Sequence, residues 1–127
     1  MIRVVQLGSA RHRHEGLRLG TVRRPPRGVR KENYAKQNYY DLWMPDLAPS
    51  AELFARRPMA DDEKGWQMFA RKYATELKKP EASRLLDLLA AMSHHSNFSV
   101  GCYCDNEGRC HRSVLRRVLA ERGAAIS

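Results

Sequence analysis

All three cysteines of the chain, Cys102, Cys104 and Cys110, fall inside the segment from Phe98 to Arg117, and His111 and Arg112 follow Cys110 directly. The chemistry open to such a segment depends on what stands at Cys110. The apolar residues Val114, Leu115, Val118 and Leu119 recur at helical spacing, so the pattern predicts a helix beginning near Cys110. The first N–H groups of a helix lack internal partners and carry partial positive charge, which attracts phosphate or carboxylate and favours a thiolate. Cys110, between Arg109 and Arg112, is therefore the candidate nucleophile or redox thiol. His111 is a candidate proton carrier, and the two arginines are candidate anion binders. The competing reading makes Cys110 a small buried hydrophobe, as Cys102 and Cys104 are expected to be on the preceding strand.

Metal is the third chemistry open to these residues. Three cysteines and His111 supply four possible zinc ligands, but they lack the pair of closely spaced ligands repeated at a distance that structural zinc sites use. Neighbouring Cys110 and His111 are not expected to reach one ion from a helical turn. The expectation is no metal and no cofactor. The segment is not a phosphatase loop either, because the arginine that would follow at the right interval, Arg116, lies well inside the helix.

Further candidates come from outside this segment. Arg23 and Arg27 flank Pro25-Pro26 and are expected to close over an anion held at the helix start. Tyr39 to Pro45 is the densest aromatic patch, where Asp41 and Tyr40 are candidates for catalysis and substrate orientation unless the patch is core packing beneath a loop. The formal net charge is +9, and nine basic residues against the single acid Glu15 lie in residues 1–31. Such a segment attracts phosphorylated metabolites or nucleic acid, with residues 11–31 as the contact surface, or it serves as a solvated face. No helix-turn-helix or zinc-finger spacing is visible to strengthen the nucleic-acid alternative.

Several elements must position these residues. Ile2 to Leu7 reads as a buried strand, Leu17 to Val22 as a second extended piece stopped by Pro25-Pro26, and Phe98 to Cys104 as a third strand. Arg11 to Glu15 reads as an exposed loop, Arg27-Gly28 as a turn and Glu32 to Gln37 as a short helix. Ser50 is placed to cap a helix that Pro58 ends, and Asp61-Asp62-Glu63 open a longer one carrying Trp66, Phe69, Tyr73 and Leu77 on one stripe. Glu81 to Met92 forms another helix. This order predicts a small α/β fold: a single domain over 1–127 with a largely parallel sheet of about three strands and helices packed against it. Ligands gather at the carboxyl ends of strands in such sheets, which points again to Cys104 through Arg112. An odd, clustered set of cysteines fits a reducing compartment, and the lack of a long apolar run points to a cytoplasmic protein with no membrane partner.

The chain also resembles a known family. Pro26-Arg27-Gly28-Val29-Arg30-Lys31-Glu32, then Asp41-Leu42-Trp43 followed by Leu47 to Leu53, then Trp66, Phe69, Tyr73, Glu76 and Leu77, and finally Cys102 and Cys110-His111-Arg112 form an ordered set. That set is similar to domain of unknown function family 488, which includes the YeaO-like group. The resemblance spans roughly residues 20–120 and implies a small α/β fold without implying an activity. Val22-Arg23-Arg24-Pro25 stands where YeaO-like members often have Asp-Arg-Leu-Trp, so the site around Cys110 carries over better than the one around Arg27.

Overall fold

The computed structural model describes residues 1–127. Four parallel strands form one sheet: β1 (Ile2–Gln6), β2 (Leu17–Gly20), β3 (Leu42–Trp43) and β4 (Phe98–Cys102), in the order β1-β4-β2-β3. The last strand in sequence is thus an inner one, with Val4 and Leu19 both paired to Val100. All five residues of β4 are buried, as expected for a strand flanked on both edges and covered on both faces. Gly101 is needed there because a Cβ would come 2.6 Å from the Val5 carbonyl oxygen.

The helices are α1 (Ala51–Ala55), α2 (Glu63–Glu76), α3 (Pro80–Met92) and α4 (His111–Glu121). Each begins where its local chemistry allows. Ser50 accepts from the Leu53 N–H, Asp62 accepts from the Gly65 N–H, and Pro80 opens α3 at a position where its missing N–H costs nothing. Phe69 and Tyr73 of α2, Leu86 and Leu89 of α3, and Leu115 and Leu119 of α4 form one core with Ile2, Leu19 and Val100 of the sheet. On the opposite face the segments 7–16 and 31–41 replace helices.

That face differs from its sequence expectation. The loop Arg11 to Glu15 was expected to be wholly exposed, yet Glu15 is buried. Its carboxylate accepts from Arg18 Nε at 2.8 Å and from the Ser99 hydroxyl at 2.6 Å. The polarity that argued for exposure is satisfied by a partner three residues away and another on β4. Glu32 to Gln37 contains no α-helix, and Lys31–Asn33 makes a single 3₁₀ turn. The third strand ends at Cys102 rather than Cys104, and a fourth strand, β3, lies within the aromatic patch. Two residues before a proline carry no period to read.

Candidate functional site

β2 and β4 run side by side and stop at Gly20 and Cys102, so the chain leaves the sheet twice at the same end. The segment after β2, the segment after β4 and helix α1 enclose a cavity of about 780 Å³. Four arginines, Arg23, Arg24, Arg27 and Arg57, line it together with Cys102, Cys104 and His111, and no carboxylate does. Tyr103 donates from its hydroxyl to the Arg24 carbonyl at 2.8 Å and so ties the two exit segments together.

The four arginines are not equivalent. Arg23 donates to the carbonyls of Pro49 and Pro45 at 2.9 and 3.0 Å, which fastens the β2 exit to the start of α1. Arg57 lies over the Phe54 ring, 4.3 Å from its centroid, and donates to the Phe54 carbonyl. Arg24 and Arg27 are exposed and their guanidinium groups make no bond to the protein. The turn expected at Arg27-Gly28 is present, with Gly28 at φ +71°, a conformation that glycine adopts without strain.

Behind the cavity wall lies a second, smaller core of Leu7, Val22, Tyr40, Cys102 and Cys110. Cys110 occupies the N-cap of α4 in an extended conformation, and its side chain turns inward, leaving the residue 1% exposed. The sulfurs of Cys102 and Cys110 are brought into bonding contact. His111, the first residue of α4, is buried as well, and its Nε2 lies 2.7 Å from the Thr21 carbonyl oxygen. A carbonyl can only accept, so Nε2 carries the proton and Nδ1 presents a lone pair, 3.9 Å from Cys110 Sγ. Burial holds the imidazole pKa down at about 4, with Arg112 pushing the same way against the Thr21 bond.

The structure therefore gathers some of the sequence candidates and disperses others. Cys110 and His111 come together, but beneath the surface. Arg109 pairs with Glu63 at the start of α2, and Arg112 is buried, donating to the Cys104 carbonyl at 2.7 Å. The two arginines expected to flank an anion thus close the 104–110 loop onto its own helices. Asp41 lies before β3, where it takes a two-pronged bond from Arg11 at 2.8 and 3.0 Å and one from the Arg18 N–H, and it does not line the cavity. Burial raises its pKa, but these bonds outweigh burial and hold the carboxyl below its ordinary value. Tyr40 packs its ring on Gly20, where a Cβ would meet it at 2.3 Å, and burial pushes its phenol up to about 12. Arg23 and Arg27 do reach the cavity.

Sequence reasoning did not single out Arg57 or Cys104. Arg57 follows a short helix and precedes Pro58, which was a visible sign of an exposed basic corner. Cys104 was placed on the core strand, whereas it is the free and exposed cysteine. Partial burial of its thiol raises its pKa, with the Arg112 charge acting in the opposite direction.

A family model described as the active DUF488-N3 subclade matches residues 2–123. The chain belongs to the DUF488 family. The match takes in both exits from the sheet, all three cysteines and the whole of α4, so the cavity is built wholly from residues of the matched region. No curated protein and no solved structure gives a match. None of the helices is long and apolar enough to cross a membrane.

Proposed function

We propose that this DUF488 chain is an enzyme-like domain that binds a phosphorylated or otherwise anionic small molecule in the cavity at the carboxyl edge of its sheet. The observation that carries the reading is the lining itself: four arginines and no carboxylate around about 780 Å³. A cavity with one sign of charge and partly apolar walls concentrates counter-ions, and guanidinium groups match phosphate oxygens in pairs. Arg24 and Arg27 are the cations free to do this, Arg57 adds a third from the opposite wall, and Arg23 holds the wall in place. Cys104 is the thiol presented to the bound molecule, a role the sequence assigned to Cys110.

Calorimetric titration with inorganic pyrophosphate tests the reading. Wild-type protein is expected to bind it, and the Arg27→Ala, Arg57→Ala double variant to bind at least about tenfold more weakly, since a charge-assisted hydrogen bond contributes roughly 1.5–3 kcal/mol. Pyrophosphate should also slow alkylation of Cys104 by iodoacetamide. Titration heats that are flat, or unchanged in the double variant, would sink the proposal.

A further inference from the structure

Three potential metal donors converge in the smaller core. Cys102 Sγ, Cys110 Sγ and a ring nitrogen of His111 all lie within 4.8 Å of one another, and all three residues are buried. They arrive from different elements, Cys102 from the last position of β4, Cys110 from the N-cap of α4 and His111 from its first turn. A shared ion is out of reach only if Cys110 and His111 both sit on a helical turn. Cys110 is instead extended, with φ −119° and ψ 149°, so its side chain leaves the backbone in another direction and the two converge.

We infer that Cys102, Cys110 and His111 form a zinc-class metal site with its open position towards the cavity. Two independent observations point to an ion. The first is the backbone span. The Cα atoms of Cys102 and Cys110 are 7.6 Å apart, wider than the roughly 4.4–6.8 Å usual for a disulfide, although the two sulfurs lie in bonding contact. A sulfur–metal–sulfur link uses two bonds of about 2.3 Å in place of one sulfur–sulfur bond and reaches across the wider span. The second is the orientation of the imidazole. Nε2–H is fixed on the Thr21 carbonyl, leaving the Nδ1 lone pair free beside Cys110 Sγ, and metal-bound histidines are oriented in this way by their second nitrogen.

The donor set selects the ion. Two thiolates and one imidazole suit a borderline-soft cation, and Zn²⁺ takes such ligands without a preferred geometry of its own. Binding releases two protons, one from each thiol, while His111 enters neutral. Three protein ligands leave a fourth position, and Cys102 and His111 both belong to the cavity wall, so that position is open to water or to an oxygen of a bound anion. The site stands on donor geometry and does not need the anion proposal, because none of its donors is an arginine.

Protein purified without chelator should carry about one zinc per chain by elemental analysis. Stripped protein reloaded with Co²⁺ should show a thiolate-to-cobalt charge-transfer band in the near ultraviolet. X-ray absorption at the zinc edge should give two sulfur neighbours and one imidazole nitrogen. Cys110→Ser should weaken the metal by at least about tenfold, the loss expected even for a group that only orients a ligand. Because that variant risks misfolding, Cys104→Ser is its companion: Cys104 is exposed, and its replacement should leave metal content and cobalt spectrum unchanged. Absence of a cobalt–thiolate band, loss of metal in Cys104→Ser, or a chain mass two hydrogens below the reduced value with no metal bound would overturn the inference.

Discussion

Arg18 has no exposed surface, and its guanidinium is spent inside the protein on the Glu15 carboxylate and on the carbonyls of Ser9 and Asn38 at 2.8 and 2.7 Å. This pair shows how one side chain can commit a loop to a sheet. Glu15 joins the 7–16 loop to Ser99 of β4, and Arg18 joins β2 to both loops on that face. Burial alone would raise the carboxyl pKa, but the bonds from Arg18, Ser99 and the His12 N–H pull it from 4.5 down to about 2. A folded-state pKa below the unfolded value means that the stabilisation is fully present above about pH 4.5 and is lost as pH falls towards 2. Glu15→Gln removes the charge and leaves Arg18 buried without an anion. The expected cost is about 3–5 kcal/mol at neutral pH, read by urea denaturation. The variant should also show a flatter loss of stability between pH 5 and pH 2 than wild type. A cost below 1 kcal/mol would mean that water reaches the pair.

At the scale of elements, the short helix α1 decides whether the cavity has a second wall. It is five residues long and too short to be stable alone. Its start is held from outside: the Leu53 N–H donates to Ser50 Oγ at 3.2 Å, the Ser50 N–H donates to Glu76 of α2 at 2.9 Å, and the Ser50 hydroxyl donates to the same carboxylate. Tyr73 adds a hydrogen bond to the Leu47 carbonyl just upstream. Ser50→Ala removes the cap and one of the Glu76 bonds, so a loss of about 1–2 kcal/mol is expected in urea denaturation. Because Phe54 and Arg57 ride on this helix and its end, hydrogen exchange at residues 51–57 should rise more than at α3 in the same variant. Equal changes in both helices would show that α1 is positioned by its apolar contacts alone.

On the scale of the whole molecule, the net charge of +9 is less available than its concentration in residues 1–31 suggests. Arg11 is held by Asp41, Arg18 by Glu15 and Arg23 by backbone carbonyls. The exposed cations left in that stretch include Arg13, Arg24 and Arg27, of which two line the cavity. Neutralising these three together should lower the salt concentration at which the protein elutes from heparin. Unchanged retention would make them a solvated face and weaken the nucleic-acid alternative with it. The amino-acid sequence by itself determined the α/β class, the starts of α1 and α2 at Ser50 and Asp62, the existence of α3 close to its expected span from Glu81 to Met92, and the apolar stripe from Phe69 to Leu77. Each of those signals is completed within a few residues, where period, cap and proline act directly on the local backbone. Tertiary structure alone decided the rest. Pairing β4 between β1 and β2 joins residues some eighty to a hundred positions apart, brings Cys102 to Cys110 and His111, and frees Cys104 from the core. It also turns Arg109 and Arg112 inward and opens the cavity between two chain exits. Those outcomes depend on which strand becomes the inner one, and that is set by the packing of the whole sheet against α2, α3 and α4 rather than by any local period.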